Sequence, residues 1–151
     1  MYSRILVPID GSETSAQGLR EATKLAKALG SSIRLIHIID SMSMLSATTG
    51  VADYASIAES LRQAAELMLA ETADQVKKEG VENVLTTLVE AGSMATGECV
   101  VQKAQEHNAE LIVCGTHGRR GLERLLIGSD AEYIVRHANV PVLLIRVHAQ
   151  N

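Results

Sequence analysis

Aromatic side chains are almost missing from this chain: it has no Phe, no Trp, and Tyr only at positions 2, 54 and 133. The core must therefore be built from Ile, Leu, Val, Ala and Met. A platform on which single-stranded nucleic acid could stack is not expected. Positive charge is also in short supply, with 14 Lys and Arg against 18 Asp and Glu. A net charge of −4 argues against a protein that grips a phosphate backbone, so no nucleic-acid partner is expected. There are two cysteines, Cys99 and Cys114, far apart and in apolar surroundings. Neither a disulfide framework nor a thiolate metal site fits that usage, which points to the cytoplasm. No apolar run approaches the roughly 20 residues of a membrane span. Met1-Tyr-Ser-Arg4 leads straight into a strand-like stretch, so no signal peptide is expected.

What is present is an alternation of short apolar runs with amphipathic stretches. Strands are expected at Ile5–Ile9, Ile33–Ile39, Val84–Val89, Leu111–Cys114 and Val142–Val147. A first helix should bury Ala16, Leu19, Ala22, Leu25, Ala26 and Leu29 and stop at Gly30. Residues 40–53 read as a loop. A long helix should follow, with Ile57, Leu61, Ala65, Met68, Thr72 and Val76 inward and its end at Gly80. A helix over 95–107 should bury Val100, Val101 and Ala104, and a last helix should span 129–138. Five strands with helices between them predict an α/β fold: a single domain over 1–151, Rossmann-like, with an open five-stranded parallel sheet and helices on both faces. The strand order 3-2-1-4-5 is preferred because it brings the two richest loops together at a switch point, beyond the ends of strands 1 and 4.

Those loops are Pro8-Ile9-Asp10-Gly11-Ser12 and the stretch opening Gly115-Thr116-His117-Gly118 and closing Gly128-Ser129. A strand leading through a glycine-punctuated loop into a helix N-terminus suits an anion. Glycines allow close backbone approach, and the helix end offers unpaired N–H groups and partial positive charge. A nucleotide phosphate is the expected anion. The Walker A and dinucleotide fingerprints are both absent.

With these residues in view, the chain resembles the universal stress protein family over essentially its whole length. The resemblance rests on Arg4-Ile-Leu-Val-Pro-Ile-Asp10-Gly-Ser12, on His37-Ile-Ile-Asp40, and on Val140-Pro-Val-Leu-Leu-Ile145. Its strongest part is Gly, two residues, Gly, nine residues, Gly-Ser, filled by Gly115, Gly118, Gly128 and Ser129. In the ATP-binding branch of that family the pattern holds the phosphates and ribose of the nucleotide. The resemblance thus implies a stress-response regulator or adaptor that binds ATP, or AMP or ADP, with magnesium on the phosphates. It assigns Asp10 to the ribose or to that metal, and the backbone of Ile38 to the adenine. Pro8, Ile9, Thr116, His117, Arg119 and Asp130 complete the expected nucleotide contacts.

Gly128-Ser129 is expected to cap the last helix and to meet phosphate, the capping hydroxyl pointing where a phosphate oxygen would sit. Asp130 departs from the family, which usually carries a neutral residue there. A carboxylate in a first helical turn suits the helix dipole but repels a triphosphate, unless it points away or shares a divalent ion. The turn after strand 3, Glu90–Glu98, also lacks the family's usual Asp/Pro-containing sequence. No catalytic residue is expected. His117 has no orienting partner in the pattern, and His37, His107, His137 and His148 show no metal-ligand spacing. The alternatives are a slow metal-dependent nucleotide hydrolase using Asp10, and a non-nucleotide interaction protein of the same fold. The partners expected are an adenine nucleotide, an unidentified regulatory protein and a second copy of the chain. The second copy would pair through Val142–Val147, whose alternating faces are apolar except at Arg146.

Overall fold

In a computed structural model, which describes residues 1–40, 51–116 and 127–146 (for 51–53 only the backbone), nine elements alternate along the chain. They are β1 (Arg4–Pro8), α1 (Glu13–Leu29), β2 (Ser32–Ile39), α2 (Val51–Lys78), β3 (Val84–Glu90), α3 (Thr96–Glu106), β4 (Leu111–Gly115), α4 (Ser129–His137) and β5 (Val142–Ile145). All pairings are parallel, and the sheet order is β3-β2-β1-β4-β5, as the sequence pattern predicts.

The central strand shows why. Ile5, Leu6 and Val7 are each buried almost completely, so β1 has protein on both faces. Side chains alternate across the pleat. Ile5, Val7 and Ile9 join Ile33, Leu35, Leu111 and Val113 under α1 and α2. Leu6, Ile36, Ile112 and Cys114 face the other way, against Val100, Val101, Ala104 and Ile134 of α3 and α4. The chain therefore lays α1 and α2 on one face, crosses over β1, and lays α3 and α4 on the other. Burial pushes the Cys114 thiol up to about 12, so it is an inert packing group.

Two helix faces differ from expectation. Gly30 does end α1: it takes the left-handed conformation (φ 67°), and its N–H donates to Ala26 O. Leu29, however, lies past the core and is 43% exposed. In α2 the inward positions are Ala65, Leu69, Ala73 and Val76. Met68 and Thr72 flank a groove instead, and Ile57 and Leu61 are 42% and 43% exposed. The cause is length. A 28-residue helix runs about 42 Å at 1.5 Å per residue, whereas a strand of eight residues covers about 26 Å. The helix starts at Val51, inside the stretch expected as loop, and its first half overhangs the sheet. At the other edge β5 ends at Ile145, so Arg146 follows the strand, and Val147 lies outside the described residues.

Candidate functional site

Every helix here runs back against the strands, so helix N-termini and strand C-termini share one edge of the sheet. At the end of β1 the chain leaves Pro8 half-buried. Ile9 then donates its N–H to Ile36 O at 2.8 Å. The Ile9 carbonyl accepts the Nδ1–H of buried His37, also at 2.8 Å. That bond fixes the tautomer of a neutral His37 and ties the mouth of β1 to β2. Sequence reasoning found no role for His37, and a lone His on an apolar strand gives no signal for one.

Asp10 closes a tight turn. Its Oδ1 accepts the Ser12 N–H at 2.9 Å across Gly11, whose φ of 77° is readily available only to glycine. Ser12 caps α1, its Oγ accepting the Ser15 N–H at 3.1 Å. Ile38 lies on β2 opposite Val89, and its side chain packs on the α3/α4 face. Its backbone has the same parity as Ile36, which faces β1. The pairing of β1 with β2 ends at Pro8↔Ile36, so Ile38 presents its polar backbone toward the crevice beyond β1.

The end of β4 reaches the same place. β4 pairs directly with β1, and Gly115 packs on the first turn of α1. A Cβ there would stand 2.6 Å from Thr14 O and 2.8 Å from Thr14 C. Gly115 is thus required first by the seating of α1. Thr116 is buried. Its N–H donates to Ile145 O at 3.0 Å, and its carbonyl accepts the Gly128 N–H at 2.7 Å. That second bond brings the start of α4 back to the end of β4, whatever path 117–126 takes between them. His117, Gly118 and Arg119 lie outside the described residues.

The cap of α4 is Gly128 and not Ser129, which corrects the expected capping hydroxyl. Gly128 is extended (φ −61°, ψ 152°), Ser129 is the first helical residue, and no side chain caps this end. Asp130 has a definite partner: its Oδ1 accepts the N–H of Gly97, in the first turn of α3, at 3.1 Å. The N-cap of α3, Ala95, has no side chain able to do this. Asp10, Gly115, Thr116, Gly128, Ser129 and Asp130 therefore converge at the β1/β4 switch point, with Ile38 to one side. Among the described residues, no group of three His, Cys, Asp or Glu stands close enough to hold a metal unaided. A magnesium ion here would need oxygens from the nucleotide itself. A separate groove of about 370 Å³ starts near Gly11 and Ser12 and runs between α1 and α2, lined further down by Leu19, Met68, Thr72 and Val76.

The model of the Universal stress protein family matches residues 1–146. The chain belongs to that family. A universal stress protein of Methanocaldococcus jannaschii is 30% identical over 146 residues, 97% of this chain and 83% of that one. The solved universal stress protein UspA of Lactobacillus plantarum superposes with a TM-score of 0.82 at 23% identity, over 96% of this chain and 98% of that one. A universal stress protein of Archaeoglobus fulgidus, solved in complex with dAMP, superposes with a TM-score of 0.65 at 26% identity, over 95% and 98% of the two chains. The fold shared with these proteins is the one the strand order describes. Among the described residues no helix is long and apolar enough to cross a membrane.

Proposed function

We propose that this chain binds an adenine nucleotide, ATP or its di- or monophosphate, in the crevice between the ends of β1 and β4. We propose further that it acts in the cytoplasm as a nucleotide-responsive regulator or adaptor. One observation carries the reading. The Thr116 carbonyl holds Gly128 N–H at 2.7 Å, which sets the uncapped N-terminus of α4 at the switch point. Free N–H groups and the positive end of the helix dipole suit a phosphate there. The Ile38 backbone lies where a base could take hydrogen bonds, and Asp10 lies between, near a ribose or a phosphate-bound magnesium. The dAMP complex of the Archaeoglobus fulgidus relative supports an adenine nucleotide as the ligand.

Gly128→Val tests the placement. The φ of −61° is open to any residue, so the variant should fold. Its branched side chain would obstruct the approach to the α4 N–H groups. Calorimetric titration should show ATP or AMP binding weakened about tenfold, about 1.4 kcal/mol. Wild-type affinity in a folded variant would remove α4 from the site.

The proposed homodimer pairs β5 with its copy across a two-fold axis. β5 is an edge strand with Leu143 39% exposed, and covering such an edge removes an aggregation hazard. Light scattering at micromolar concentration should give twice the chain mass; a monomer mass would refute it.

A further inference from the structure

Two helix N-termini meet at the candidate site, and a single carboxylate stands between them. α3 and α4 lie side by side on one face of the sheet and begin at the same edge. Gly97 makes the meeting close: a Cβ there would lie 2.9 Å from Asp130 O and 3.2 Å from Asp130 Cα. Asp130 itself is in the first turn of α4, one residue past Ser129. Its Oδ1 is held by the Gly97 N–H at 3.1 Å. The side chain is thus tethered at the rim of the crevice and not free to swing away with solvent.

This position has an electrostatic consequence. Each helix N-terminus carries about half a positive charge. The single negative charge of Asp130 offsets roughly both of them. Glu132 adds another carboxylate to the first turn of α4, although Arg136 pairs with it at 2.7 Å. The corner keeps its N–H donors but loses the positive surplus that a polyanion needs. One phosphate can still be held by hydrogen bonds, while each further negative charge meets repulsion from a carboxylate a few ångströms away.

We infer that Asp130 sets the phosphate-charge preference of this site, selecting adenosine monophosphates over the triphosphate. The inference rests on the nucleotide-binding reading above and refines its ligand class.

Asp130→Asn is the decisive variant, because an amide oxygen can still accept the Gly97 N–H while the charge is gone. AMP and ATP are titrated calorimetrically into the full chain with EDTA present, so that no metal masks the phosphate charge. The wild type should bind AMP at least as tightly as ATP. In Asp130→Asn, ATP binding should tighten about tenfold and AMP binding by less than about threefold, as expected for charges a few ångströms apart near a surface. Asp130→Ser removes the same charge with a shorter acceptor and should shift the ratio in the same direction. Thermal melting confirms that each variant is folded. A ratio of ATP to AMP affinity unchanged in the folded variants overturns the role of Asp130 while leaving nucleotide binding intact. A wild type that binds neither nucleotide overturns the underlying reading instead, and this inference falls with it.

Discussion

On one face of the sheet, α3 and α4 meet so closely that Gly97 has no room for a Cβ against Asp130 O and Tyr133 Cβ, at 2.9 and 3.0 Å. On the other face, α1 and α2 are separated by a groove of about 370 Å³. The difference follows from where each helix finds its closest neighbour. α1 is drawn toward β4: Gly18 sits against the Gly115 N at 3.3 Å from its would-be Cβ, and Gly115 sits against Thr14. Leaning that way opens the gap toward α2, which is anchored over β2 and β3 by Ala65, Leu69, Ala73 and Val76. Both tight contacts, α1 on β4 and α3 on α4, lie at the edge where the strands end. The close packing of the molecule is therefore concentrated around the candidate site, and the looser packing lies away from it.

The largest effect expected from this comparison is at Gly115. A Cβ there meets Thr14 Cγ2 at 2.5 Å, and it also meets the Thr14 backbone, which cannot step aside as a side chain can. Gly115→Ala should cost about 3 kcal/mol or more, at the upper end for overpacking. Urea denaturation of the variant measures it. A loss below about 1 kcal/mol would mean that α1 is not seated on β4 as described, and the contrast between tight and loose contacts would lose its strongest member.

Gly97→Ala should come next, at about 1–2 kcal/mol. Its closest clash is also with backbone, Asp130 O, but at 2.9 Å a small shift of α4 relieves much of it. The same shift would lengthen the 3.1 Å bond from Gly97 N–H to Asp130. A neutral effect in the same denaturation experiment would show that α3 and α4 have slack between them.

Some of this was legible in the sequence, and the boundary has physical causes. The strand order followed from two loops needing to converge, Pro8–Ser12 and the Gly115–Ser129 stretch. The left-handed stop at Gly30 followed from glycine ending an amphipathic run. Val100, Val101 and Ala104 followed from helical spacing. Periodicity fixes a face but not how far the neighbouring sheet extends, so Ile57, Leu61 and Leu29 read as core and are exposed. It also fixes a stripe only to within one position, so Met68 and Thr72 were expected where Leu69 and Ala73 stand. At the site, the glycine pattern located the β4 loop and α4. It could not show that Gly115 answers to Thr14, or that Gly128 rather than Ser129 is the cap. Asp130 and Gly97 are 33 residues apart, and no local signal joins an acidic residue in one helix to an uncapped N-terminus in another.

The smallest expected effect lies on the open face and tests whether that face is open in solution. Met68 packs against the α1/α2 core but is only partly buried, and it borders the groove. Replacing a fully buried Met by Ala costs about 2–5 kcal/mol, because transferred apolar area is lost and a cavity remains. Beside a groove, water already reaches part of the side chain, and the shortened residue enlarges a wet space instead of creating a void. Met68→Ala should therefore cost about 1 kcal/mol, below that fully buried range. Leu69→Ala, one residue away but 3% exposed, provides the internal reference at the full buried cost. Equal losses in the two variants would mean that α1 and α2 close over Met68 in solution. The two faces of the sheet would then be packed alike.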